Sequence, residues 1–334
     1  MKRWKKVLFV LLPFSFLGIV LYLMFHENYK TIAEQLSRTK TALLLLMICF
    51  GLAYEFLDAA VMGKLVFPKV PNMTFGEMVQ LTFLGVCMNI TTYGTGIKPA
   101  QTFCLSKKGQ NPGKAFAILT LPYVFHKATV VIYASVMLLL QNRFLKQSFG
   151  DVFHYLLAGY LVSFLVIAGL ILLCTSKRLC SFICRLMERL IKQEKWQEKK
   201  NKIAESLVNL QTESEEIVKN YRIWFEMIIM NILKLSCWYI LPLIGVYAVG
   251  GSMESVTVIQ IIATAAFMQL IIGVIPTAGG MVSTEVVYTL LFGRLFGSAT
   301  AGATMILFRL ATYYLPFLIS IPVVFTMKMY KKAK

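Results

Sequence analysis

At 334 residues, 57% of them hydrophobic and only 15% charged, with a mean hydropathy of +0.68, the chain falls well short of the roughly 25% charge of a water-soluble domain. Its net charge of +18 does not argue for nucleic acid, because the basic residues gather at the ends of apolar runs. The composition predicts an all-α polytopic membrane protein with a single transmembrane domain over residues 1–328.

Apolar runs fall at about 7–25, 41–63, 75–91, 115–141, 152–174, 222–250, 255–275 and 298–327, which predicts about eight transmembrane helices. Two short broken segments, 92–111 and 276–297, lie among them. The first run follows MKRWKK and resembles a signal peptide. It is longer than an h-region, however, and MFHENYK offers no small-residue cleavage site, so it is predicted to be a retained span.

Of the 34 Lys and Arg, four lie in residues 1–6, four after Thr326 and eleven in 177–222. The positive-inside rule then places both termini and the 177–222 segment in the cytoplasm. With that orientation the blocks 75–141 (repeat A) and 255–327 (repeat B) enter the membrane from opposite sides. Each reads as an apolar helix, a Gly/Pro-interrupted piece and a long helix, and Gln80/Met88 matches Gln260/Met268 in spacing. An inverted repeat is expected, as in many transporters. Residues 176–220 break the pattern. Leu179, Phe182, Ile183, Leu186 and Leu190 form one apolar stripe with Arg and Lys opposite, as in an interfacial amphipathic helix, and a more solvated helix follows. This insertion is either a hairpin joining two membrane halves or a docking element for a partner.

The stretch VIPTAGGMVSTE, 274–285, sets a proline, two glycines and a carboxylate within apolar sequence. Broken helices are tolerated in a bilayer only where they are buried in protein or line a wet cavity. Pro276, Gly279 and Gly280 suit the start of a half-helix, whose exposed amides would attract an anion such as a phosphate head group. The segment 92–101 is suited to the same role from the other side. The alternative is a kinked helix whose glycines allow tight packing.

Charges inside apolar runs are few, and each costs on the order of several kcal/mol unless paired or hydrated. Glu55 and Asp58 share a helix face and are candidates for ion coupling or for pairing with Lys98, Lys127 or Lys234. Glu285 and Arg309 are expected to meet beside a polar, lipid-accessible cavity bordered by Gly279 and Gly280. Tyr313 lies one turn beyond Arg309, and Pro316 is placed to kink that span. His126 next to Lys127 reads more simply as a core histidine. The seven cysteines form no CxxC and no Cys/His cluster, so neither a metal nor another cofactor is expected. No P-loop, HExxH or GxSxG is present, which disfavours ATP-driven transport or hydrolysis by this chain alone.

Three motifs carry a family resemblance. IPTAGGMVSTE resembles the P-T-P-G-G-x-G-x-x-E element of the lysylphosphatidylglycerol-synthase transmembrane family through Pro276, Thr277, Gly279, Gly280 and Glu285, departing from it at Ala278 and Val282. TTYGTGIKPAQTF resembles the T-G-G-x-P-x-Q element through Thr95, Gly96, Pro99 and Gln101, with Thr92 in place of a proline and Ile97 in place of a glycine. ILFRLATYYLPFLI resembles the C-terminal R-x-x-T-Y-Y-L-P signature through Arg309 and residues 312–316.

That family includes the flippase portion of bacterial multipeptide resistance factors. The resemblance implies a flippase-like protein of the bacterial cell membrane that moves an anionic, aminoacylated or glycosylated lipid between leaflets. Gly96, Lys98, Pro99, Gln101, Pro276, Gly279, Gly280, Glu285, Arg309 and Tyr313 would line its head-group site. Only eight residues follow Thr326, so the soluble lysyltransferase domain of the larger relatives is expected to be absent. The alternative is a membrane scaffold that partners a lipid synthase or glycosyltransferase through 176–220.

Overall fold

Capping residues decide where several of the apolar helices begin. In the computed structural model, which describes residues 28–70, 72–190, 197–218, 220–253, 256–275 and 282–327, every described element is helical. Helix α1 (Tyr29–Ser37) leads to α2 (Thr41–Val66), whose 26 residues span about 39 Å and suffice to cross a bilayer. Helix α3 (Phe75–Thr91) opens with a reciprocal cap. The Thr74 hydroxyl accepts from the Glu77 N–H at 3.2 Å while the Glu77 carboxylate accepts from the Thr74 N–H at 3.0 Å.

A turn then leads to α4 (Ile97–Lys107). Helix α5 (Pro112–Thr175) starts at Asn111, whose side chain accepts from the N–H groups of Gly113 and Lys114. Its 64 residues join the predicted runs 115–141 and 152–174 across non-helical backbone at Gln141 and Phe149. The cytoplasm-predicted insertion forms α6 (Lys177–Leu190) and α7 (Gln197–Val218), which pack on each other. Phe182 and Leu186 of the α6 stripe remain exposed.

Helices α8 (Tyr221–Tyr239) and α9 (Leu241–Ala248) occupy the predicted 222–250 run. The break falls at Ile240, directly before a helix start that accommodates Pro242. Helix α10 (Val258–Val274) repeats the α3 device. Thr257 accepts from the Gln260 N–H, and Gln260 accepts in return from the Thr257 N–H at 2.8 Å.

Helices α11 (Ser283–Phe296) and α12 (Ser298–Arg309) follow, then a π-helical turn at Leu310–Tyr314 and α13 (Leu315–Thr326). Pro316 explains the π turn: it has no N–H for the Thr312 carbonyl and its ring crowds that oxygen. The ladder shifts by one residue so that the Leu315 N–H donates to Leu310.

Four described helical stretches are long and apolar enough to cross a membrane: Thr41–Val66, Pro112–Thr175, Tyr221–Ala248 and Ser298–Thr326. The expected run at 7–25 lies outside the described residues, and α10 is a shorter apolar helix of 17 residues. The blocks 75–141 and 255–327 share an element order. Each begins with a capped 17-residue helix, has a shorter helix next in order, and ends in a long helical stretch.

The chain divides into two compact units. Unit 1 comprises Met1–Leu52, Tyr133–Leu161 and Ser236–Leu315. Its core is aromatic: Tyr288 packs between Phe292 and Phe308, and Trp238 meets the Phe308 edge with centroids 4.8 Å apart. Unit 2 comprises Ala53–Ile132, Val162–Leu235 and Pro316–Lys334. There Met78, Leu81 and Leu84 of α3 bury against Leu105 of α4 and Ile118 and Leu119 of α5. Helix α7 is tied to this unit by charge, because the buried Glu213 receives Lys69 and Lys114.

Candidate functional site

Unit 2 encloses a cavity of about 300 Å³, at the small end of the range for ligand sites, and its wall is charged. Glu55 and Asp58, three apart on α2, both line it, together with Lys98 of α4, His126 of α5 and Lys234 of α8. Lys234 is 1% exposed and donates to Asp58 at 2.8 Å, so its charge is matched inside apolar surroundings. The same ammonium lies 5.5 Å from the centre of the Tyr54 ring.

Among the described residues, Glu55 is buried and makes no hydrogen bond or ion pair within 4 Å, and the buried Nδ1 of His126 lacks a hydrogen-bond partner. An unmatched carboxylate within a span is costly, and such residues mark substrate or ion pathways. The arrangement therefore offers one ion pair, one further cation and two unsatisfied polar groups to an occupant.

Lys98 is held by a backbone contact: its ammonium donates to the Leu119 carbonyl of α5 at 2.7 Å. Gln101, one turn along α4, is buried and donates to the Leu81 carbonyl at 3.1 Å. That contact explains the small residue opposite, since a Cβ at Gly85 would lie 2.8 Å from the Gln101 amide nitrogen.

Gly96 is required by close approach. The Thr92 hydroxyl donates to Met88 and accepts from the Gly96 N–H at 2.7 Å, leaving 2.6 Å between that oxygen and any Cβ at position 96. Thr92, which stands where the family motif has proline, thus closes the α3–α4 turn by its side chain. Pro99 is exposed on α4 and does not line the cavity.

In unit 1, Glu285 and Arg309 meet as expected from their spacing. The guanidinium donates from Nε to one carboxylate oxygen at 2.8 Å and from Nη2 to the other at 2.7 Å, with side chains 7% and 3% exposed for Arg309 and Glu285. Arg309 also covers the Tyr313 ring at 4.7 Å. Glu285 sits in the first turn of α11, where a carboxylate complements the helix dipole, so the anion at this helix start is supplied by the chain itself. Neither Glu285 nor Arg309 lines the unit 2 cavity. Pro276, Gly279 and Gly280, expected to border a cavity here, lie outside the described residues.

Sequence reasoning passed over Tyr54, Asn89 and Tyr123, which also line the unit 2 cavity. Asn89 carried a signal, as an amide in an otherwise apolar run. The tyrosines carried none, because tyrosine is common in apolar helices and membrane borders.

Comparison with curated proteins yields no match. The family model for the lysylphosphatidylglycerol synthase TM region matches residues 6–320, which takes in most of each unit, the cavity-lining residues and the Glu285–Arg309 pair, and the chain therefore belongs to that family of integral membrane proteins.

Proposed function

We propose that the protein is a lipid flippase-like transporter of the bacterial cell membrane, with both termini cytoplasmic, and that the unit 2 cavity receives the head group. The observation that carries this reading is the charged cavity itself. Glu55, Asp58, Lys98 and Lys234 stand together among apolar helices, where charges persist only for a function or a partner. A phosphate would find the Lys98 ammonium, and an amine or sugar hydroxyl would find Glu55 and the His126 ring, while acyl chains remain in the bilayer. Anionic, aminoacylated and glycosylated lipids all fit this pattern of charge. The role is transport, without aminoacyl transfer by the spans themselves.

The test is leaflet exchange of fluorescent phosphatidylglycerol and its lysyl ester in liposomes containing the purified protein. Exchange should exceed that of protein-free vesicles and fall at least about tenfold in a Glu55→Ala/Lys98→Ala double variant that inserts normally. Wild-type protein that is correctly inserted yet moves neither lipid overturns the proposal.

A further inference from the structure

A second polar cavity, of about 520 Å³, lies wholly within unit 1 and is walled by two arginines. Its residues come from the ends of apolar elements. Gln141, Arg143, Gln147 and Ser148 sit at the kinked middle of α5, Arg294 sits in the last turn of α11, and Gln260 sits in the first turn of α10. Apolar spans stop at this level, so the cavity stands at head-group depth. Leu140, Phe144 and Leu295 supply an apolar side to it.

The charge balance points to an anion. Arg143 and Arg294 are both exposed at the cavity's open side, and Arg143 has no hydrogen-bond or ion-pair partner among the described residues. Arg294 is approached by Asp151 at 3.8 Å, beyond hydrogen-bond reach, and Asp151 is itself 92% exposed. The nearby Lys146 lies 5.8 Å from the Phe153 ring centre. Guanidinium groups bind phosphate through paired N–H donors, and the Gln141, Gln147 and Ser148 side chains add neutral donors on the same wall. Part of the Gln260 amide is already committed, since its oxygen caps α10.

We propose that this cavity is a separate phosphate-binding site, occupied by the phosphate of an anionic phospholipid or by free phosphate. It neither uses the unit 2 cavity nor depends on transport. The experiment uses the full chain, delipidated in a neutral detergent, with two probes: inorganic phosphate followed by calorimetry, and phosphatidylglycerol followed by native mass spectrometry.

The Arg143→Gln/Arg294→Gln double variant should weaken binding about tenfold or more, and Asp151→Asn should strengthen it by removing a competing carboxylate. Arg38→Gln, which removes an exposed helix pair elsewhere, should change neither. Loss of lipid binding alone identifies a membrane lipid as the occupant, and loss of phosphate binding alone identifies the free anion. Loss of both assigns the site to the phosphate group itself. A folded double variant that binds both probes like wild type, or an Asp151→Asn variant that binds both more weakly, overturns the proposal. Because binding is read without leaflet exchange, the result stands apart from that of the flippase assay.

Discussion

Removing Arg309 should expose how strongly the buried pair in unit 1 depends on both partners. Arg309→Met deletes two charge-assisted hydrogen bonds, at 2.8 and 2.7 Å, and leaves the Glu285 carboxylate with its side chain 3% exposed. Solvent screening is slight at that burial, so the cost of stranding the carboxylate is about 3–5 kcal/mol. Arg309→Lys keeps the charge but loses the fork, costing about 1.5–3 kcal/mol for one charged hydrogen bond. Arg309→Met/Glu285→Met removes both charges and should lie within about 2 kcal/mol of wild type, because an apolar replacement of a buried pair is often near neutral. Reversible unfolding in mixed micelles measures these proteins together with Glu285→Met, the second single variant of the cycle. The cycle should show a coupling of about 2 kcal/mol or more. Single variants costing less than about 1 kcal/mol, or a double variant whose cost is simply the sum of the singles, would refute the reasoning.

Other positions give independent checks by the same unfolding measurement. In unit 1, Gly51→Ala would place its Cβ 2.2 Å from the Ala311 carbonyl oxygen in the π turn, so α2 must shift, at a cost of about 1–3 kcal/mol. Val282 precedes α11 at φ +69°, a conformation costly for a β-branched residue, and it stands where the family motif has glycine. Val282→Gly should therefore be neutral or stabilising by about 1 kcal/mol, and a clear loss of stability would contradict the strain. In unit 2, Asp58→Asn should destabilise by about 3 kcal/mol by stranding the Lys234 ammonium, with recovery in Asp58→Asn/Lys234→Met. Failure of that rescue would mean the carboxylate has another role.

Much of the element map was legible in the sequence. The described apolar runs became helices, and the 176–220 insertion was marked by its polar, basic pattern, whereas the Thr74/Glu77 and Thr257/Gln260 caps emerged only in the structure. The runs 222–250 and 298–327 kept their bounds as helical stretches, and Pro316 distorted its span as expected; the local break at Ile240 before Pro242 was not foreseen. The division of α5 was legible as the gap between the runs 115–141 and 152–174, but not that Gln141 and Phe149 would hold its two non-helical turns.

Membrane class followed from composition alone, since hydrocarbon tolerates only helices with few charges and the chain has runs long enough to comply. The meeting of Glu285 with Arg309 followed from the same scarcity, as two buried charges of opposite sign on successive helices have few other ways to be matched. What only the tertiary structure decided was which polar groups face each other across helices distant in sequence. Asp58 found Lys234 at a separation of 176 residues, Lys98 took the Leu119 carbonyl of α5, and Glu55 was left without a hydrogen bond among the described residues on the cavity wall. Helical periodicity assigns a residue to a face of its own helix, but the neighbour of that face depends on packing, which the local pattern does not encode.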